Sequence, residues 1–248
     1  MTQLLVSVRN AVEAIAAIEG MADIVDVKEP AHGSLGCASP QIIAEVAAVV
    51  RAHRDAALLG RVAPPLSLAL GELAEWRECD RALLHDAIAT AKPQFLKLGL
   101  AGAGSQPNSD SWIGEWQRVR DAISGQHVWV AVAYADHENA NSPTTENVLH
   151  AAIETNCGIL LIDTCAKNGT SLLDHLTLDQ LLAIRRATSQ HGLKLALAGR
   201  VTLSSLKSLL SIQADIIAVR GAVCKNGERK NSISGNLIRE FRAAVNAM

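Results

Sequence analysis

Short apolar runs, each bounded by turn residues, recur eight times along this 248-residue chain. They are LLVSV (4–8), DIVDVK (23–28), LSLALG (66–71), FLKLGL (95–100), VWVAVAYA (128–135), GILLIDT (158–164), KLALAG (194–199) and DIIAVRG (215–221). Near-continuous apolar runs are typical of strands in a parallel sheet that is covered on both faces. The runs therefore predict eight such strands.

Helical patterns fill the intervals between the runs. Asn10 can cap the first helix, Pro40 can open the second, and Thr177 with Gln180 can form a capping box. The other helical segments are 75–91, 111–124, 142–156, 202–212 and 236–247. A strand followed by a helix, eight times over, predicts one catalytic domain over residues 1–248 with the α/β fold of a (β/α)8 TIM barrel.

Two alternatives bear on this fold. A doubly wound open sheet also alternates strands and helices, but no G-x-G-x-x-G motif follows the first strand and eight strands suit closure. The stretch AALLGRVAPP (56–65) could supply the third strand, although its two prolines favour a loop. In the barrel, the loop AGAGSQPNSD (101–110) would lie on the carboxyl-terminal rim.

The composition excludes several kinds of partner. Aromatic residues make up 3%, the net charge is −2 and no basic block occurs, so we predict no nucleic-acid partner. No run reaches the length of a membrane span, and no signal-peptide pattern opens the chain, so we predict no membrane partner. Alanine-rich helices such as 40–54 could line the barrel or pack against another subunit, and we expect a homo-oligomer.

The cysteines do not predict a disulfide framework or a metal site. Five cysteines are scattered without a C-x-x-C pair, at positions 37, 79, 157, 165 and 224. They are typical of small buried residues in a reducing cytosol, so a cytoplasmic protein is expected. The stretch DHE (136–138) has metal-ligand residue types but no second cluster at a fixed spacing, and we predict no metal.

Charged residues interrupt several of the apolar runs. Side chains alternate along a strand, so the apolar residues that face the helices show which neighbours point into the barrel. By this rule five charged residues converge near the carboxyl ends of their strands, where barrel active sites lie: Asp26, Lys28, Lys97, Asp163 and Arg220. A buried ion-pair network that fixes register would use the same residue types, but three basic and two acidic residues at one end favour an active site.

Lysines in a barrel mouth indicate covalent chemistry. A lysine attacks a carbonyl as the neutral amine, and burial beside a second cation favours that form. Lys28 and Lys97 are the candidates for imine formation and proton transfer, with nearby carboxylates as general acid and base. Lys167 is either a third cation of the rim or an ordinary exposed loop lysine.

Phosphate binding fits the last two strands. Gly199 and Arg200 follow the seventh strand, Arg220 and Gly221 end the eighth, and GERK (227–230) adds cations in the following loop. Barrel enzymes often hold phosphate at this place with backbone N–H groups.

These segments together resemble one known family. The specific motifs are AD-I-V-DVK-x-P-x-x-GSLG and DT-x-x-K-x-G-x-S-L-x-DH, supported by LLVSV, KLGL, YAD, LALAG and AVRGA in the same order. They resemble the (5-formylfuran-3-yl)methyl phosphate synthases, also called 4-(hydroxymethyl)-2-furancarboxaldehyde-phosphate synthases. The resemblance runs from about residue 4 to residue 240.

The resemblance implies a function and a set of site residues. That family is a class I aldolase-like barrel, a carbon–oxygen lyase that condenses two molecules of glyceraldehyde 3-phosphate into a phosphorylated furan aldehyde. The product feeds methanofuran biosynthesis in one-carbon metabolism, and no metal or organic cofactor is implied. Lys28 matches the Schiff-base lysine and Lys97 the proton-transferring lysine, while Asp26, Asp163 and Lys167 match other residues of the active centre.

The chain departs from the family pattern at three positions. Met21 stands in GMAD where GGAD is expected, Glu72 stands where family members have aspartate, and Arg200 follows LALAG. Two other functions remain open from the residues alone. One is a Schiff-base aldolase or lyase for another sugar phosphate, and the other is a non-catalytic sugar-phosphate-binding barrel.

Overall fold

Eight parallel strands close into a barrel in chain order. The structure, a computed structural model, describes residues 1–56, 63–76, 81–104, 111–166 and 169–247. The strands are β1 (Gln3–Val8), β2 (Ile24–Val27), β3 (Leu66–Glu72), β4 (Phe95–Gly99), β5 (Val128–Tyr134), β6 (Ile159–Asp163), β7 (Lys194–Leu197) and β8 (Ile216–Val219). Each strand overlaps one predicted run, with β1 beginning one residue earlier and β3 ending one residue later than predicted, so the predicted TIM barrel is confirmed.

Helices follow the strands and surround the barrel. They are α1 (Ala11–Glu19), α2 (Pro40–Ala56), α3 (Ala82–Ala91), α4 (Ser111–Ala122), α5 (His137–Ala140), α6 (Thr145–Glu154), α7 (Leu172–His175), α8 (Leu178–Gln190), α9 (Leu203–Leu210) and α10 (Gly235–Asn246). Short 3₁₀ helices occupy Pro30–His32, Leu73–Trp76, Gly221–Val223 and Lys225–Gly227.

The predicted helix caps are present. The Asn10 side chain accepts a hydrogen bond from the Glu13 N–H at 2.9 Å. Thr177 and Gln180 exchange side-chain and backbone hydrogen bonds at 2.8 and 3.2 Å, which confirms the capping box. These contacts fix where α1 and α8 begin.

Two helix predictions need correction. The helix expected over 142–156 begins only at Thr145, because Thr144 caps it through the Asn147 N–H. The segment 75–91 is not one helix, since a 3₁₀ turn ends at Trp76 and α3 begins at Ala82. Residues 77–80 lie outside the described part.

Two apolar clusters divide the strand side chains, as the alternation predicted. The outer cluster packs between the barrel and the helices, and its strand residues include Val25, Val27, Leu96, Leu98, Leu160, Ile162, Ile217 and Val219. The inner cluster fills the barrel and includes Leu5, Ile24, Phe95, Val130, Ile159, Leu161, Ala196 and Ile216. Polar residues further along these strands therefore lie above an apolar floor.

The alanine-rich helix α2 packs against the barrel. Its buried residues belong to the outer cluster, and they are Ile43, Val46, Ala47 and Val50. Cys157 and Cys224 are buried and Cys37 is half-buried, whereas Cys79 lies outside the described residues. Across the described ranges, no helix is long and apolar enough to cross a membrane.

Candidate active site

A buried ion pair joins β2 and β4 above the apolar floor. Lys97 Nζ lies 2.7 Å from Asp26 Oδ1, and the two side chains are 4% and 0% exposed. The other oxygen of Asp26 accepts a hydrogen bond from Ser7 Oγ at 2.9 Å. Taking two charges out of water costs several kcal/mol per ion, and the close contact between them offsets that cost. Two of the predicted residues therefore meet in the barrel interior.

A cavity of about 540 Å³ opens at the carboxyl-terminal end of the barrel. Six predicted site residues line it: Lys28, Asp163, Gly199, Arg200, Arg220 and Gly221. Lys97 instead lines a smaller space of about 20 Å³ deeper in the barrel. Lys167 lies outside the described residues. The structure thus brings the imine candidate together with the predicted phosphate ligands, while the pair of Lys97 with Asp26 lies deeper.

The loop after β2 folds back over the barrel and contacts β6. Ser34 Oγ donates a hydrogen bond to Asp163 Oδ2 at 2.9 Å and lies 3.0 Å from the carbonyl oxygen of Thr164. The Thr164 N–H donates to Asp163 Oδ1 at 2.7 Å. Leu35, the next residue of the loop, is 1% exposed and packs in the inner cluster. Both oxygens of the Asp163 carboxylate are therefore held in place.

Ser34 was not among the predicted site residues. In the sequence it appears only as the second residue of the GSLG motif (33–36). The loop needs its glycines, because Gly33 has a φ of +104° and a methyl group at Gly36 would overlap the carbonyl oxygen of Glu29. The Glu29 N–H donates to the Gly36 carbonyl at 2.8 Å, which closes the loop. Lys28 therefore stands at the base of a fixed turn.

Arg220 is buried in a network with α1. Its Nη1 donates to the Ser7 carbonyl at 2.8 Å and to Glu13 Oε2 at 2.9 Å, and its Nε donates to the Arg229 carbonyl at 2.7 Å. Burial by itself would raise the pKa of Glu13, but Arg220 and Arg9 outweigh it and hold that pKa below its usual value. Sequence reasoning missed Glu13, which shows only as one acid in a helical pattern.

A further cation, Arg229 of the GERK stretch, lines the cavity. Its Nη2 donates to the Gly33 carbonyl at 2.9 Å and so links the loop after β8 to the loop after β2. Burial lowers the pKa of Arg229, while the nearby Asp163 charge acts in the opposite direction. Arg200 is exposed and has a left-handed backbone, with a φ of +53°. The cavity therefore carries positive charge on its β7–β8 side.

The carboxyl group of Glu72 lies at the end of β3, on the other side of the barrel mouth from these arginines. Tyr134 donates its hydroxyl proton to Glu72 Oε1 at 2.6 Å, and the Ala101 N–H donates to Oε2 at 2.8 Å. Burial raises the pKa of Glu72, these two hydrogen bonds lower it, and the charges of Glu75 and Asp163 raise it again, so the net shift is upward. Glu72 is one of the three departures from the family pattern, and Tyr134 was not singled out.

Asp136, the first residue of DHE, is buried and accepts two backbone hydrogen bonds. The Cys165 N–H donates to its Oδ1 at 2.7 Å and the Ala166 N–H to its Oδ2 at 2.8 Å. It therefore anchors the loop after β6. In the parts of the chain that the structure describes, no three His, Cys, Asp or Glu side chains come together as metal ligands would.

Comparison with known proteins identifies the family. Residues 4–242 match the family model of 4-HFC-P synthase. The chain belongs to the 4-HFC-P synthase family. The resemblance inferred from the motifs is thereby confirmed over nearly the whole length.

Individual relatives of this 4-HFC-P synthase family member carry the corresponding name. A (5-formylfuran-3-yl)methyl phosphate synthase of Archaeoglobus fulgidus is 31% identical over 244 residues, which is 98% of this chain and 99% of the relative. The protein of the same name from Methanococcus maripaludis strain DSM 14266 is 34% identical over 240 residues, which is 96% of this chain and 97% of the relative. These relatives are named as synthases.

Solved structures of other barrels share the fold. Thiamine phosphate pyrophosphorylase from Pyrococcus furiosus aligns with a TM-score of 0.61 at 13% identity, over 99% of this chain and 96% of that one. The 3-hexulose-6-phosphate synthase of Salmonella typhimurium aligns with a TM-score of 0.59 at 13% identity, over 98% of both chains. At this identity the likeness establishes the fold alone.

Proposed function

We propose that this member of the family condenses two molecules of glyceraldehyde 3-phosphate through a lysine Schiff base. The product would be (5-formylfuran-3-yl)methyl phosphate, formed with loss of phosphate and water as a lyase step in methanofuran biosynthesis. One observation carries the proposal: Lys28 lines a cavity of about 540 Å³ together with several arginines. A cavity of this size accommodates a small metabolite.

Lys28 forms the imine with the first triose phosphate. An amine attacks a carbonyl only in its neutral form, and neighbouring cations favour that form. Arg220 and Arg229 line the same cavity, so positive charge is close to the attacking group. Asp163 also faces the cavity and can exchange protons with the bound substrate.

The pair of Lys97 with Asp26 supplies a second group for proton transfer. The ammonium–carboxylate contact of 2.7 Å allows a proton to pass between the two side chains. Lys97 or a carboxylate removes the α-proton of the imine, which gives the enamine. Inorganic phosphate is eliminated from one of the two trioses, and the enamine attacks the aldehyde of the second. Cyclisation with loss of water gives the furan, and hydrolysis of the imine releases the product and frees Lys28. The aromatic product helps to make the sequence irreversible.

The loops after β7 and β8 hold the substrate phosphate. Gly199, Arg200, Arg220 and Gly221 line the cavity at the ends of these strands, where barrels commonly bind phosphate. The N–H groups of Arg220 already contact Glu13 and backbone carbonyls, so Arg220 acts mainly through its charge and by shaping the loop. Arg229 adds a third arginine to this group.

The decisive experiment supplies glyceraldehyde 3-phosphate alone and looks for an ultraviolet-absorbing furan aldehyde phosphate. In parallel, borohydride reduction followed by peptide mass mapping locates the covalent adduct. Wild type should form the furan and carry the adduct on Lys28. Lys28→Ala should lose the adduct and at least about 10³-fold of the furan-forming rate, as expected for a nucleophile. Lys194→Ala, which changes an exposed lysine at the start of β7, should behave as wild type.

The alternative outcomes separate the other two functions. An adduct on Lys28 without furan would indicate a Schiff-base lyase for a different sugar phosphate. Neither adduct nor furan at high enzyme concentration would indicate a sugar-phosphate-binding barrel without catalysis. Equal trapping in Lys28→Ala and wild type would contradict the role of Lys28.

A further inference from the structure

A β-bulge near the end of β3 turns Glu72 into the barrel mouth. Ala69 is the partner of Lys97 and Glu72 the partner of Gly99, so three steps along β3 match two steps along β4. Ala69 packs in the inner cluster, and regular alternation would make Glu72 face the helices. The extra residue reverses that alternation, as bulges beside active sites often do. Gly71, with a φ of +85°, allows the chain to bend there.

The facing strand leaves room for the Glu72 carboxylate. A methyl group built on Gly99 would overlap both oxygens of Glu72. Gly99 follows Lys97 at the next inward position of β4, so the carboxylate lies over that glycine in the mouth, on the carboxyl-terminal side of the Lys97 level. Any larger residue at this position would displace it.

Both oxygens of Glu72 are oriented by donors, one from β5 and one from the segment that follows β4. Tyr134, which is fully buried, donates to one oxygen at 2.6 Å, and the Ala101 N–H donates to the other at 2.8 Å. Tyr134 is also the register partner of Asp163, which lines the cavity. A carboxyl group held at both oxygens is preorganised, whereas a purely structural surface acid would not need a bulge and a glycine to reach this place.

We propose that Glu72 is a further catalytic residue, whose carboxyl group transfers protons while the condensed six-carbon intermediate loses water, and that Tyr134 is its positioning residue. This role rests on the proposed function and deepens it. It assigns the dehydration chemistry to the β3–β5 side of the mouth, opposite the phosphate-binding loops.

The proton balance of the step needs no other reactant. The carboxyl group gives its proton to the departing hydroxyl oxygen, the C–O bond breaks and water leaves. The carboxylate then takes a proton from the adjacent carbon, and the C–H electron pair becomes the new C=C bond. Glu72 returns to its starting form. The formal reduction of the carbon that loses oxygen cancels the oxidation of the carbon that loses hydrogen, so no external oxidant or reductant is needed. Its upward-shifted pKa suits an acid that must hold a proton at the operating pH.

The test compares Glu72→Gln with wild type in furan formation and in borohydride trapping on Lys28. Glu72→Gln should lower the furan-forming rate roughly 100-fold or more, the usual size of general acid–base catalysis, and leave trapping unchanged. Glu72→Asp should recover part of the rate, because it restores an ionisable group. Glu138→Gln changes an exposed acid that follows β5, and it should have the wild-type rate.

A pH profile separates positioning from a structural effect. If Glu72 acts as an acid, furan formation falls as the pH rises through its pKa. The Tyr134 hydrogen bond favours the carboxylate, so Tyr134→Phe should raise the pKa of Glu72 and move this alkaline fall to higher pH. This readout also stands if Glu72→Gln fails to fold.

Two results would overturn the assignment by itself. A Glu72→Gln rate within about threefold of wild type would remove Glu72 from the chemistry and leave the proposed function intact. If furan formation is lost at the same pH in Tyr134→Phe as in wild type, Tyr134 does not position Glu72, and the proposed function again remains intact. If wild type itself makes no furan, the proposed function fails, and the dehydration role fails with it.

Discussion

The two halves of the barrel mouth carry opposite charges and hold them differently. On the side of β7, β8 and β1, arginine side chains reach into an open cavity. Arg220 and Arg229 are tied down mostly by backbone carbonyls of the surrounding loops, and Arg200 is exposed. This half is suited to bind an anion that enters from solvent.

On the side of β3 to β6, carboxylates are fixed by backbone N–H groups. The Ala101 N–H donates to Glu72, the Thr164 N–H to Asp163 and the Cys165 N–H to Asp136. Backbone donors move little, so each carboxylate has a defined direction. This difference agrees with the proposed function, in which one half holds the phosphate and the other positions groups for proton transfer.

The largest effect on stability is expected at the buried ion pair of Lys97 with Asp26, which lies beneath both halves of the mouth. Asp26→Asn would leave the Lys97 ammonium, which is 4% exposed, without its carboxylate. Breaking a buried pair from one side should lower the free energy of unfolding by about 3–5 kcal/mol, measured by urea denaturation. The double variant Asp26→Asn with Lys97→Met should recover much of that loss. A loss below about 1 kcal/mol in the single variant would show that the pair is not buried as described.

A smaller effect tests the cationic half. Arg229→Ala removes a half-buried cation from the cavity wall and should raise the KM for glyceraldehyde 3-phosphate roughly tenfold or more, with a lesser change in kcat. Arg118→Ala, which removes an exposed arginine on α4, serves as the control and should leave KM unchanged. A fall confined to kcat would place Arg229 in the chemistry and contradict the division between the two halves.

Opposite pH dependences of stability should distinguish the buried Glu13 from the half-buried Glu72. The pKa of Glu13 is lowered, so its stabilisation is present above the ordinary glutamate pKa and is lost as the pH falls through the lowered value. The pKa of Glu72 is raised, so its stabilisation is present below the ordinary value and is lost as the pH rises through the raised one.

Denaturation at several pH values measures this difference. Glu13→Gln should destabilise the protein at neutral pH and have less effect in acid. The free energy of unfolding of Glu72→Gln should increase relative to that of wild type as the pH rises. Parallel curves for both variants would contradict the contrast between the two sites.

The smallest effect on stability is expected at Met21, which precedes β2 and so lies at the amino-terminal end of the barrel. Met21 has a left-handed backbone, with a φ of +69°, and its side chain is exposed. Met21→Gly should raise the free energy of unfolding by about 0.5–1 kcal/mol, because glycine adopts this conformation without strain. Gln213→Gly, at a φ of +57°, should show a similar gain, and neither variant should change KM or kcat. A change in KM in either would show that the ends of the barrel are coupled.

The Met21 geometry shows what one departure from the family pattern costs. The motif was expected to have glycine at this position, and the left-handed backbone gives the physical reason for that expectation. The chain keeps the conformation with methionine and bears the strain at an exposed site.

The barrel and its inward-facing residues follow from the sequence pattern alone. Eight apolar runs predicted the strands, and alternation along each run placed Asp26 and Lys97 inside, because successive side chains of a strand point to opposite faces. It also placed Lys28 and Asp163 at one rim, since the carboxyl ends of parallel strands share one end of a barrel.

Contacts between residues that are far apart in the chain become visible only in the folded barrel. Ser34 contacts Asp163 across 129 residues, and Glu13 contacts Arg220 across 207, because the paths of the rim loops bring them together. The bulge that turns Glu72 inward also escapes the alternation rule, because it depends on how β3 pairs with β4. Periodicity acts within one element, whereas the completed site depends on contacts between elements.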